Sequence, residues 1–507
     1  MINHKCRTPC HHGRTDWASF SGDLSRKSSH GNYDTSAYKK AGHDDLHAAF
    51  QLGVDSMNKI SSPERSIQLR CVGYIYIPSK GPMWVELAIS PSVVMAGRFA
   101  SGVFTLFFLL LLSTDLTVMI RSSPVKVKFE GCMKAAAYGR IWDCCPPTPK
   151  NPVVNFKPLL DNSSRKLRIR RALQCLDEEE LGVYKEKLER AYNLLAALPG
   201  NDPRTLENQA IVHCACGTGA LPNDGGRLDV HNGWLFQPWH RWFLYFHERI
   251  LQGLLGDPTF TIHFWNWDND GVVVEGRSKG CLKAGNAFPN IYGDPSTIVY
   301  HSPRSWRASL PRSPLNLIKP TEDTDLNTWC TGMPDDVLAA GNVKALRDAI
   351  IRSTSSDVFF GRKYSAGDFP VDIHQPNATG EGSLERPHDS VHAWVGGDML
   401  INPISSLDPV FWAHHGNVER LWDMWQRLGP NRTVPQDPDF LDAEFLFYDE
   451  NGDTVRVTVR DSLDTRALGY IYEETNDASW NYNSMSNGPD GGGSAGFFEE
   501  VVGSEDL

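Results

Sequence analysis

His231-Asn-Gly-Trp-Leu-Phe-Gln-Pro-Trp-His240-Arg-Trp-Phe-Leu-Tyr-Phe246 is the stretch on which the fold turns. Pro238 suits the first turn of a helix, where a missing N–H costs nothing, and the apolar residues that follow carry that helix through Ile250 and Leu251. Gly253 and Gly256 stop it. His240 then falls in the first helical turn, and His231, nine residues earlier, lies in the loop that feeds it. A second stretch is built alike: Asp408-Pro-Val-Phe-Trp-Ala-His-His415-Gly-Asn-Val-Glu-Arg-Leu-Trp422. Asp408 is the N-cap, Pro409 the first helical residue, and the helix runs to Leu428 before Gly429-Pro430.

Working outward, histidine is not spread evenly. His213, His231 and His240 form one block, and His388, His392 and His415 another. His388 and His392 are four apart, so on a helix both rings leave one face and can grip one metal ion. A lone histidine on an apolar helix is more often a satisfied core residue. Two sets of three, each mixing loop and helix positions, argue for metal. Imidazole-only ligation suits copper or zinc. With no His-Glu-x-x-His base and no four-cysteine set, zinc hydrolysis is the weaker reading. Periodicity alone leaves His414 and His415 open as the last ligand. His247, seven residues beyond His240, is about 10 Å away along the axis at ~1.5 Å per residue, which makes it structural.

The rest of the chain bounds the answer. Its 507 residues carry a formal charge of −11, which disfavours a general nucleic-acid binder. No run reaches the ~20 apolar residues of a membrane span. The 15 Trp imply a large aromatic core, and the odd total of 11 Cys gives at least one thiol a fate other than a disulfide within the chain. Asp177-Glu-Glu-Glu opens a helix to Leu198, with Leu181, Tyr184, Leu188, Tyr192 and Leu195 on one face. Val455, Val457 and Val459 alternate with polar residues as a half-buried strand.

The ends read differently. Residues 1–94 read poorly as a fold, with little apolar periodicity from Met1 to Gly53, and are expected to be an upstream extension, with Met95 the true start. Arg98 followed by the apolar run Val103 to Leu112 has the layout of a secretory signal peptide over 95–121, cut between about Ser113 and Ser122. The competing reading is a buried helix. Secretion fits the cysteines and the sequons at Asn162, Asn377 and Asn431. A catalytic domain over 122–472 and a disordered acidic, Gly- and Ser-containing tail over 473–507 complete the expected organisation.

The two quoted stretches resemble the paired copper signatures of the tyrosinase and plant polyphenol oxidase (catechol oxidase) family, the type-3 dicopper proteins. Phe264-Trp-Asn-Trp-Asp-Asn, Asp202-Pro-Arg, Phe445-Leu-Phe-Tyr-Asp-Glu and Leu463-Asp-Thr-Arg-Ala-Leu-Gly-Tyr-Ile-Tyr472 extend the likeness from about Cys132 to Tyr472. The resemblance implies a mainly α fold, a four-helix-bundle core around a dicopper site, with long loops and a few short β-strands. It implies two copper ions, copper A on His213, His231 and His240 and copper B on His388, His392 and His415, with His414 beside them. The implied chemistry is oxidation of o-diphenols to o-quinones with reduction of O2 to water, and ortho-hydroxylation of monophenols where the phenolate reaches copper. The implied partners are small phenols and O2, with no nucleic acid and no membrane span in the mature chain. An O2 carrier of haemocyanin type is the alternative.

By the same resemblance, Cys132 pairs with Cys145 and Cys144 with Cys214. A thioether joins a cysteine to the second copper A ligand; the family places that cysteine four residues after the first histidine, whereas here Cys216 is three after His213 and Gly217 follows. Cys216–His231 is the implied bridge. Glu385 is the residue implied to hold a water near the site, and Asp389 follows the first copper B histidine. The bulky aromatic gate of many plant members falls near Asn402, implying a wider, more polar mouth. Only 35 residues follow Tyr472, so the expectation is an enzyme needing little proteolytic activation. The expected destination is secretory or vacuolar, with a plastid less favoured.

Overall fold

A computed structural model describes residues 122–158, 166–269, 286–305, 308, 315–318, 335–370, 380–475 and 480, with the backbone of 69–77 and 81–89. The chain divides into two units, Met1–Arg121 and Ser122–Leu507. In the first, β1 (Leu69–Ile77) and β2 (Gly81–Ile89) pair as an antiparallel hairpin, Leu69 opposite Ile89 and Ile77 opposite Gly81. That hairpin lies within residues 1–94, the stretch whose sequence reads poorly as a fold. The apolar run 95–121 and the sequons at Asn162 and Asn377 lie outside the described residues.

The second unit is built on helices. In α1 (Glu178–Ala196) Asp177 accepts the Glu180 N–H while the Glu180 side chain accepts the Asp177 N–H, a reciprocal cap. Its stripe of Tyr184, Leu188, Tyr192 and Leu195 is buried, and it packs on α3 (Phe236–Leu255). Between them in the chain comes α2 (Leu206–Cys216). α3 is buried along most of its length, with Trp239 and Trp242 fully buried and its charged Arg241 and Glu248 also inside the core. It starts at Phe236, two residues before the expected start at Pro238, so His240 sits in the second turn. It also runs through Gly253 and ends at Gly256, whose φ of +65° supplies the left-handed stop.

Further along come α4 (Asp335–Leu346), α5 (Glu385–Val395) and α6 (Val410–Arg427). Asp408 Oδ1 accepts the Val410 N–H at 3.0 Å and so caps α6. Arg304 grips the same carboxylate through Nε at 2.7 Å and Nη2 at 2.6 Å, both partners being buried. Helices α2, α3, α5 and α6 carry five of the six metal-site histidines, and His231 lies in the loop before α3. Two short 3-10 turns, Gly397–Leu400 and Asn402–Leu407, link α5 to α6, and the second packs on α2.

Strands of this unit are short. β3 (Val154–Asn155), β4 (Arg168–Arg170), β5 (Glu444–Tyr448), β6 (Thr454–Thr458) and β7 (Tyr470–Tyr472) form two small sheets, β3-β6-β5 and β7-β4. Behind the helices, Arg170 donates to Glu248 and Glu419 at 2.9 Å each, and Arg241 pairs with Glu419 at 2.9 Å, tying β4 to α3 and α6. Buried charges of this kind persist only when paired.

Residues 473–475 and Trp480, which fall in the tail expected from residue 473, are held against the core. Glu473 accepts the Ala172 N–H at 2.9 Å, Arg420 donates to Thr475 at 2.7 Å, and Trp480 is fully buried with Nε1 donating to the Asp268 carbonyl at 3.1 Å.

Candidate metal centre

Each histidine block converges in space. The Nε2 atoms of His213 and His240 are 3.4 Å apart; His415 Nε2 lies 3.3 Å from both His388 Nε2 and His392 Nε2. His231 joins the first group, its ring 5.3 Å from that of His213 and 5.1 Å from that of His240. Nitrogens bonded to one ion at ~2.0–2.1 Å in tetrahedral directions are separated by about 3.3–3.4 Å, so these spacings suit ligands of a shared metal. The two groups adjoin: the His240 and His415 rings stack at 4.4 Å.

The outer nitrogens show why the inner ones are free. Nδ1 of His213 lies 3.0 Å from the Asn402 carbonyl, that of His240 2.8 Å from the Phe236 carbonyl, and that of His392 2.7 Å from the Met399 carbonyl. Nδ1 of His231 faces Asp229 Oδ1, and that of His388 faces Asp389 Oδ1, both at 3.1 Å. A carbonyl or carboxylate can only accept, so each of these five rings carries its proton on Nδ1 and turns the Nε2 lone pair inward. Burial pushes the pKa values of His213, His240, His392 and His415 well below the ordinary histidine value and lowers that of His388. Neutral rings with facing lone pairs repel one another unless a cation lies between them. The donor set therefore fits a metal pair. Phe236 and Phe411 seal it, 4.7 Å from His388 and 4.1 Å from His415.

His388 and His392 do share one face of α5. The expectation that each set mixes loop and helix fails for the second, because His415 is on α6 and all three are helical. His414 is fully buried at the edge of this group, stacked on His388 at 5.1 Å, and neither ring nitrogen has a hydrogen-bond partner among the described residues. His247 is accounted for outside the site: its ring stacks on Trp412 at 3.6 Å, with Gln209 at 2.8 Å and Tyr192 at 3.2 Å on its nitrogens.

Glu385 is buried at the start of α5. Its Oε1 accepts the Asn232 N–H at 2.7 Å, while Oε2 has no hydrogen-bond partner among the described residues. Burial first, and then the Asp389 carboxylate, push this carboxyl well above the usual range. Asn402 corrects the reading as a gate. Its side chain turns inward, donating to the Gly217 carbonyl at 2.9 Å with Nδ2 3.4 Å from His231 Nδ1.

Cys132 is joined to Cys145 and Cys144 to Cys214, fastening the N-terminal segment to α2 beside His213. The Cys216–His231 bridge is corrected. Cys216 is a free, buried thiol set against Trp239, and the residue facing His231 is Gly217, where a Cβ would lie 2.7 Å from His231 Cε1. One step along a helix turns a side chain by about 100°, enough to aim residue 216 away from the ring that 217 faces. Asp229 was missed by the sequence reading. Its place two residues before His231, with Oδ1 also accepting the His231 N–H at 2.9 Å, was the available signal. The three carbonyl partners carry no side-chain signal at all.

Two facing triads of neutral imidazoles inside a helical core define a dinuclear metal protein. Residues 203–428 match the model of the common central domain of tyrosinase, and 435–485 that of the polyphenol oxidase middle domain. The chain is 38% identical over 350 residues to a chloroplastic polyphenol oxidase of Malus domestica, covering 67% of this chain and 53% of that protein. It is 37% identical to aureusidin synthase of Antirrhinum majus, covering 66% and 56%. The crystal structure of Grenache (Vitis vinifera) polyphenol oxidase matches with a TM-score of 0.58 and 34% identity, covering 69% of this chain and 98% of that one. This chain belongs to the tyrosinase and plant polyphenol oxidase family, and its histidine clusters fit that family's pair of copper ions. It spans about half the length of the curated relatives it matches.

One expectation is overturned by the same comparison. Several plant relatives are named chloroplastic, which points to a plastid rather than a secretory or vacuolar destination. An apolar run with a basic flank records hydrophobicity, not which receptor reads it. Among the described residues no helix is long and apolar enough to cross a membrane.

Proposed function

We propose that this chain is a copper-dependent oxidase of o-diphenols, working in a plastid. Two o-diphenols give two o-quinones while one O2 becomes two waters. His213, His231 and His240 would hold copper A, and His388, His392 and His415 copper B. The pair supplies reversible two-electron exchange between phenol and O2. The observation that carries this reading is the pair of Nε2 clusters with their Nδ1 protons turned outward.

The protein's part is placement and exclusion of water. Asp229 and Asp389 each hold one imidazole by a charge-assisted hydrogen bond. Phe236 and Phe411 keep the centre dry, which strengthens every charge interaction inside it. Glu385, with Oε1 fixed by Asn232 and Oε2 without a hydrogen-bond partner among the described residues, is set to bind a water or a substrate hydroxyl. Ortho-hydroxylation of monophenols is a secondary activity of the same centre. The relatives include oxidases and a synthase, which disfavours the O2-carrier reading. The test is oxygen consumption by the copper-loaded full chain with catechol. Sustained uptake with quinone formation is expected; reversible oxygenation without turnover would refute the enzyme.

A further inference from the structure

The connector between α5 and α6 touches both histidine triads with its main chain, Met399 at His392 and Asn402 at His213. Asn402 does more. While its carbonyl accepts from His213 Nδ1, its side-chain amide donates to the carbonyl of Gly217, four residues after His213 at the end of the same helix. The amide nitrogen also packs 3.4 Å from His231 Nδ1. Gly217 has no room for a side chain: a Cβ would meet His231 Cε1 at 2.7 Å, His231 Nδ1 at 3.0 Å and Asn402 Oδ1 at 3.1 Å.

We propose that Asn402 is a positioning residue that sets two of the three copper A histidines at once, and that this clasp requires glycine at position 217. The argument has three parts. A main-chain carbonyl can orient an imidazole only if the peptide itself is held, and the amide bond to Gly217 holds it at the helix end it serves. His231 comes from a loop, so its ring needs lateral walls: Asp229 and the Asn402 amide both meet Nδ1, and the bare Gly217 Cα lies against the Cε1–Nδ1 edge. No covalent tether does this work, because Cys216 is a free thiol facing Trp239. The inference rests on the copper reading above.

The test uses the copper-loaded full chain and follows copper release to an excess of chelator, in wild type, Asn402→Ala, Gly217→Ala, and Asn402→Ala combined with His240→Ala. Wild type should release two equivalents slowly. Asn402→Ala should release one equivalent about 10–100-fold faster, the usual cost of losing a partner that orients a ligand, with the second unchanged. The copper left behind should show the electron-spin signal of an isolated Cu(II). Gly217→Ala, which keeps Asn402 but crowds His231, should do the same, and it decides the matter if Asn402→Ala does not fold. In the His240→Ala background, Asn402→Ala should leave the remaining copper's release unchanged. Wild-type release of both equivalents in Asn402→Ala, or equal acceleration of both, would overturn the proposal. A wild-type chain that holds no copper overturns the copper reading and this inference with it, a result distinct from either.

Discussion

Cys144–Cys214 closes 70 residues and Cys132–Cys145 closes 13, so the two disulfides should not be worth the same. In the chain-entropy account, the longer loop removes about 4.4 kcal/mol of freedom from the unfolded chain and the shorter about 2.9 kcal/mol. The pair Cys144→Ala with Cys214→Ala should therefore cost about 1.5 kcal/mol more than Cys132→Ala with Cys145→Ala. Burial widens the gap. Cys144 and Cys214 are buried, so removing their sulfurs leaves a void, whereas Cys132 is only partly buried. The assay is urea unfolding of the copper-free chain at fixed pH, because bound metal would add its own stabilisation. A second readout is copper affinity, since Cys214 adjoins His213. Loss of the longer bridge should weaken one copper site, and loss of the shorter should weaken neither. Equal costs, or a larger cost for the 13-residue loop, would refute the reasoning.

Further outcomes follow from particular contacts. Arg304→Ala leaves the Asp408 carboxylate buried and unpaired at the cap of α6, and should cost about 3–5 kcal/mol in thermal or urea unfolding; a loss below about 1 kcal/mol would show that the pair is solvated. His263, stacked on Tyr184 at 4.2 Å, has its pKa lowered to about 3, first by burial and then by Arg171. The unfolded chain takes up that proton near the ordinary value of about 6.5. Its contribution to stability is thus fully present above pH ~6.5 and is lost as pH falls toward ~3. His263→Phe should flatten the acid limb of stability against pH, and an unchanged slope would contradict the assignment. Peptide mapping should find Cys216 alkylated as a free thiol and no cross-link to the His231 peptide; a linked pair two hydrogens lighter would contradict the free thiol. Turnover of tyramine should be slower than that of catechol, and a reversed order in steady-state rates would make hydroxylation the main activity.

Much of this was legible in the sequence, for identifiable reasons. Asp177 with Glu180, and Asp408 with Pro409, are local capping chemistry; α1 begins directly after Asp177, and α6 begins at Val410, one residue after the start expected at Pro409. His388 and His392 need only helical spacing to share a face. The misreadings share another cause, namely that they concern main chain or single contacts. The start of α3 depends on a turn at Gly233–Phe236 that Pro238 does not mark. Cys216 and Gly217 differ by one residue and opposite outlooks, which spacing cannot resolve without the exact helix phase. The carbonyls of Phe236, Met399 and Asn402 orient three imidazoles without any side-chain signature. Trp480 is buried although the sequence around it is rich in Asn and Ser.

The central claim, that two triads hold two copper ions, is tested most directly by counting copper. The purified full chain, loaded with copper and freed of excess, should contain two equivalents per chain. His392→Ala should hold one, His240→Ala should hold one, and the two together none. A wild-type chain with no tightly held copper, or a His392→Ala chain that still keeps two, would contradict the account.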